Sequence, residues 1–233
     1  MPVQMPDVGR RPSGETARSA RSSGARSPYN GGMHSDDPGW AIRESADRPV
    51  LLALCLRQLA GVRSPVELPY LRGIPPREND RSVDAQEALE RQWTSYWKMT
   101  VEPQAHPSAA PLELVDGFET LVALPAGFAE LRRAIIPHAA EALQLSDDMA
   151  TRYKKAEIAN PGISYRGYAS AIAEHERQVG RRAHPFELNV QVLPLTQRGV
   201  WWIGALTVAV TDGLRQDVAA FDTAIHPIIA DLA

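Results

Sequence analysis

Residues 199–210 read GVWWIGALTVAV, with no charge, no proline and two tryptophans side by side. A run so rich in β-branched and aromatic residues reads as a strand, and neighbouring strand side chains leave on opposite faces. Trp201 and Trp202 therefore need apolar cover on both sides. An indole buries ~150–250 Å² and is costly to leave in water, on the order of several kcal/mol. A strand apolar on both faces lies inside a sheet with packing above and below. Helices over 49–61 or 83–99, a second copy of the chain, or a ligand are the available covers.

The preceding segment, PFELNVQVLPL, alternates. It puts Phe186, Leu188, Val190 and Val192 on one face and Glu187, Asn189 and Gln191 on the other. With TQRG as a turn, Leu195 is expected opposite Val200, Val192 opposite Ile203, and Val190 opposite Ala205. This register sets Trp201 with Phe186 and Leu188, and sends Trp202, Leu206, Val208 and Val210 to the second face. A slip of one residue exchanges the indoles. A second hairpin is expected in PLELVDGFETLVALP, where Asp116-Gly117 suits a two-residue type I′ turn.

Helical signals fill the rest. RPVLLALCLRQLAG starts with Pro49 in its first turn and stops at Gly61. A helix from about Ser82 carries a stripe of Leu89, Trp93, Tyr96 and Trp97. AGFAELRRAIIPHAAEALQL is interrupted by Pro137, and its continuation breaks at Asn160-Pro161. Ser164 is the expected cap of a helix ending at Gly180, and Asp212 the expected cap of a C-terminal helix containing Pro227. The fold class expected is α+β: an antiparallel sheet of two β-hairpins packed by four to six helices. Residues 47–233 form a single domain, and its segments 82–160 and 164–233 read as two helix-hairpin-helix units.

Residues 1–46 differ. Gly, Pro, Ser and Arg dominate, and such a segment cannot bury enough apolar surface to offset its ordering entropy, so a disordered basic tail is expected. Met33 opens a second possible start, so residues 1–32 are a candidate translational extra. The whole chain carries a net charge of −3, which argues against a dominant nucleic-acid or anionic-membrane partner. The longest apolar run is too short to span a bilayer as a helix, and no hydrophobic leader heads the chain, so a cytoplasmic address is expected. The Ala- and Arg-rich composition is of the kind that high-GC bacterial genes encode.

The sequence contains no phosphate-binding loop, dinucleotide fingerprint, nucleophile elbow or C-x-x-C. The single cysteine, Cys55, sits in an apolar helical run and reads as an inert thiol. His175 falls on the apolar stripe of its helix, between two glutamates, with no second histidine at zincin spacing. His138 with Glu141, and Asp222 with His226, stand three and four apart, where a carboxylate can orient an imidazole or simply form a helix surface pair. Were the two halves a true repeat, these pairs could converge as a hydrolytic or metal centre; no metal or cofactor is otherwise implied. Trp93, Tyr96 and Trp97, with Tyr165 and Tyr168, could line a pocket for a flat apolar ligand. The favoured expectation is a non-catalytic interaction protein that self-associates through Trp202, Leu206 and Val208. A His-dependent hydrolase is the alternative, and apolar-ligand binding a third.

Overall fold

A computed structural model describes residues 39–75, 77, 80–159 and 163–233. Strand β1 (Trp40–Ser45) runs into helix α1 (Arg48–Leu59) and then α2 (Val83–Val101). A short pair, β2 (Leu112–Leu114) and β3 (Ala123–Pro125), precedes α3 (Ala129–Ile135), a 3₁₀ turn over Ile136–His138, and α4 (Ala139–Ala159). The chain continues through α5 (Ile163–Val179), β4 (Phe186–Leu193), β5 (Val200–Trp202), β6 (Thr207–Thr211), α6 (Asp212–Arg215) and α7 (Val218–Leu232).

The main sheet has the order β1-β4-β6-β5. β1, β4 and β6 are parallel, and β5 returns antiparallel on β6. The expected sheet of two antiparallel hairpins is therefore corrected to a mixed α/β arrangement with helices on both faces. Leu193, Trp201 and Ala209 face a core built from α1, α2, α3 and α4. Phe186, Leu188, Val190, Val208 and Val210 face a second core built from α5, α6 and α7.

The run 199–210 is two strands. β6 is buried throughout and lies between β4 and β5, so the two-sided interior strand expected from its composition is present. Its partner differs: Val190 stands beside Val208 in parallel, and Val200 beside Val210 across the β5–β6 turn. The two indoles do take opposite faces, but in exchanged positions. Trp201 joins the first core, and half-buried Trp202 packs against the second, on the face of Phe186 and Leu188. Gly199 is required here, because a Cβ would come within 2.9 Å of the Trp201 ring.

The β5–β6 turn forms where Glu102, at the end of α2, reaches across. Its carboxylate accepts from Ala205 N at 2.9 Å, Leu206 N at 2.8 Å and Thr207 Oγ1 at 2.9 Å. A Cβ on Gly204 would overlap that carboxylate. Successive backbone N–H groups curled around one anion make a stable nest, and this nest breaks the run into β5 and β6.

Other expectations are adjusted by non-local packing. Residues 1–38 of the expected tail lie outside the described residues, but Trp40–Ser45, also placed in the tail, form β1 on the sheet edge. Pairing of β2 with β3 leaves residues 115–122 as the connection, longer than a two-residue turn, although Gly117 does take φ +85°. This pair stays apart from the main sheet. β3 therefore pairs only with β2 while β6 has neighbours on both sides, so the likeness between segments 82–160 and 164–233 is confined to a strand-glycine-helix corner. The helix cap expected at Asp212 opens only the four-residue α6; Asp217 caps α7 by accepting from Ala220 N at 3.2 Å. The break at Asn160-Pro161 falls outside the described residues, and α5 begins at Ile163, one residue before the expected Ser164 cap.

Candidate functional site

Parallel strands place their carboxyl ends at one edge, and a crevice opens there when the chain leaves different strands toward opposite faces. That happens here on the two sides of β4. β1 feeds α1 in the first helical layer, while β6 feeds α6 and α7 in the second. Above β4, between the two departures, lies a crevice of about 320 Å³. Ala46 follows β1, Val192 and Pro194 end β4, and Asp212, Arg215 and Gln216 follow β6; Met149, Arg152, Tyr153 and Ala156 of α4 form the far wall, and Arg72 the rim.

Arg215 fixes the floor. Its side chain is 6% exposed, and its Nε donates to Glu44 at 2.6 Å. A second ion pair joins it to Glu157 of α4, and its guanidinium lies 5.8 Å from the centre of the Tyr153 ring. Glu44 also accepts from Tyr168 Oη at 2.7 Å. One guanidinium thus ties β1, α4 and, through Glu44, α5 across the end of the sheet. Burial, together with the Glu44 carboxylate, pushes the Tyr153 and Tyr168 hydroxyls well above the usual tyrosine range, and the two carboxylates hold the Arg215 charge in place.

The rim is positioned from α1. Arg57, 2% exposed, donates to the backbone oxygens of Leu68 at 2.9 Å, Arg63 at 3.0 Å and Pro65 at 2.6 Å. Gln58 brackets Leu71, donating to its oxygen at 3.2 Å and accepting from its nitrogen at 2.6 Å. The loop so held bonds the end of β4, with Arg72 N donating to Pro194 O at 2.8 Å and Thr196 N to Tyr70 O at 2.8 Å. Arg72 then pairs with Asp212 across the crevice. Arg152 has a different situation. Its Nε donates to Asp148 O at 3.3 Å one turn back, and among the described residues no carboxylate pairs with it.

A second hollow of about 430 Å³ adjoins, lined by Ile42, Glu44, Asp47, Glu157, Tyr165 and Tyr168 among others. Tyr153 and Ala46 border both. Trp40 lies 6.2 Å from Tyr165, ring centre to ring centre.

Comparison of the chain with protein-family models, with curated proteins and with solved structures finds no match.

The residues singled out from sequence lie elsewhere. His138 and Glu141 belong to the first helical layer, Asp222 and His226 to α7 in the second, so the sheet stands between the pairs. Glu141 pairs with Arg77 at 2.9 Å instead of His138, whose imidazole burial and Arg77 pull below the usual histidine range. His175 is buried on α5 as expected, with Nε2 unpartnered, while Glu174 pairs with Arg177 and Glu176 accepts from Ala183 N. Among the described residues no three His, Cys, Asp or Glu side chains are placed to hold a metal ion.

The expected aromatic pocket divides in the same way. Trp93, Tyr96 and Trp97 are buried in the first core, with Trp93 stacked on Trp97 at 6.1 Å. Tyr165 and Tyr168 reach the second hollow. Val208 is fully buried and Trp202 is covered by the second core, which leaves Leu206 as the exposed member of the expected interface. Cys55 is buried, and burial pushes its thiol up to about 12, in keeping with an inert group. Among the described residues no helix is long and apolar enough to cross a membrane.

Proposed function

We propose that this chain binds a small molecule in the crevice at the carboxyl ends of β1, β4 and β6. One observation carries the reading: three strands from one sheet and helix α4 converge on a concave site lined by both charged and apolar side chains. Sites of this kind sit where parallel strands end. The charged groups favour holding a ligand over transferring protons. Asp212, Glu44 and Glu157 are each engaged by an arginine, and the neighbouring tyrosine hydroxyls are pushed away from neutral pH.

Ala156 lines the far wall, and a tryptophan there fills the space. A fragment collection screened by amide NMR is expected to shift Ala46, Val192 and Gln216 in the parent chain and to leave them still in Ala156→Trp. Hits that map elsewhere, or that survive the substitution, overturn the reading.

Self-association, the expectation drawn from the tryptophans, has separate support. Leu112 and Leu114 of β2 are 52% and 57% exposed and share one face of that strand, where they form a small paired apolar patch. A dimer mass in light scattering at micromolar concentration, returning to monomer in Leu114→Glu, is the expected result. A monomer in the parent chain removes this second reading and leaves the first intact.

A further inference from the structure

We infer that the ligand enters the crevice by an oxyanion, a carboxylate or phosphate group of a small molecule, seated between Arg152 and Arg72. The inference rests on the binding reading and adds the ligand's charge.

The placement of the arginines points this way. Arg215 is held behind the floor by Glu44 and Glu157. With Asp212 these carboxylates balance Arg72, Arg152 and Arg215 overall, so the attraction for an anion is local to Arg72 and Arg152, which line the open space. Arg72 already holds a carboxylate there, that of Asp212, so its guanidinium is oriented for an oxyanion. Arg152 stands on the opposite wall with no carboxylate of its own among the described residues. Two arginines on separate elements, one with no carboxylate partner among the described residues and one lent to an aspartate, make a site in which an incoming anion competes with Asp212 for Arg72.

That competition gives the test its signs. The probes are inorganic phosphate, acetate and succinate, titrated at low ionic strength and followed by calorimetry and by the Gln216 amide. Arg152→Gln is expected to weaken the best of them about tenfold, and added salt to weaken binding further. Asp212→Asn is expected to act oppositely and tighten binding several-fold, since it releases Arg72 and removes a negative charge. Arg133→Gln, which breaks the exposed Arg133–Glu130 pair on α3, away from the crevice lining, leaves affinity unchanged. Arg72 and Arg152 are both exposed, so their variants keep the parent melting temperature.

Affinity that ignores Arg152→Gln, or falls in Asp212→Asn, overturns the inference. Neutral or cationic fragments that bind and are lost in Ala156→Trp, with no response to the three anions, overturn the charge assignment and keep the crevice. Silence from anions and fragments alike removes both.

Discussion

Arg57→Ala is expected to lower unfolding free energy by about 3 kcal/mol, the larger part of it through the loop that its guanidinium holds. The guanidinium sits at the C-terminal turn of α1, buried under the chain that follows. It gathers the oxygens of Arg63, Pro65 and Leu68 and covers the Tyr70 ring at 4.8 Å. Among the described residues no carboxylate forms an ion pair with it, and Glu90 and Glu67 favour its charge only from a distance; burial pulls its pKa below the usual arginine value, and its nearest support is a fan of carbonyls. Alanine would leave the Leu68 and Arg63 oxygens without this donor, roughly 1–3 kcal/mol each before relaxation, while Pro65 O keeps Leu68 N at 3.3 Å. The loop then loosens and lets water in, which limits the net loss. Arg57→Lys recovers part of it, because one ammonium cannot span carbonyls on two sides. The same loop carries Arg72 and the bridge between Leu71 and Leu195, so any ligand affinity of the crevice falls with stability. Urea denaturation checks the magnitude, and hydrogen exchange at Leu71 and Thr196 checks the route. A loss under about 1 kcal/mol, or unchanged protection at those amides, would show the loop to be self-supporting.

What was legible in the chain was local. The stripe Leu89, Trp93, Tyr96 and Trp97 is buried on α2, Ser82 caps that helix, and Gly180 ends α5 with φ +67°. The two-sided burial of β6 followed from composition, because a parallel interior strand has no face left for polar residues. Pairing was not legible. Phe186–Leu193 and Thr207–Thr211 could be joined by the nearest turn or by passing over β5, and both give the same apolar pattern. Glu102, about a hundred residues earlier, decides between them by capturing the backbone at Ala205 and Leu206. β1 was hidden for a related reason. Trp40, Ile42 and Glu44 alternate as a strand does, but six residues beside a long Gly- and Ser-rich stretch carry little weight until β4 supplies the ladder.

The crevice was less legible still. Arginine, glutamate and tyrosine on helices read as solvated faces, and nothing in EIAN or DGLRQD sets Glu157 and Arg215 apart from their neighbours. Histidines draw attention because their ordinary pKa lies near neutrality, yet the sheet divides the five residues proposed for hydrolysis, and Glu141 pairs with Arg77. Glu44, Arg152 and Arg215 become one site only after three strands have been placed in parallel.

The Arg215 network makes the other large prediction. Arg215→Met is expected to cost about 4 kcal/mol, near the upper range for stranding a buried charge. The loss comes chiefly from Glu44, whose side chain is 11% exposed and which would lose its buried cationic partner while keeping the Tyr168 and Tyr153 hydroxyls. Glu157 is 40% exposed, so Glu157→Gln removes under about 1 kcal/mol. The two partners of one guanidinium are thus unequal, and burial alone sets the order. Glu44→Gln with Arg215→Met is the discriminating pair. If the cost is that of an uncompensated carboxylate, the double variant is more stable than Arg215→Met alone by about 1–2 kcal/mol, since an amide in that position is neutral and still accepts from Tyr168. If instead the guanidinium matters by filling space between α4 and β1, methionine fills much of it and the single variant is mild, with no rescue by glutamine. Thermal and urea denaturation of the four proteins distinguish the cases. Strict additivity of the two substitutions would mean that no coupling passes from the end of β1 through Arg215 to the second helical layer.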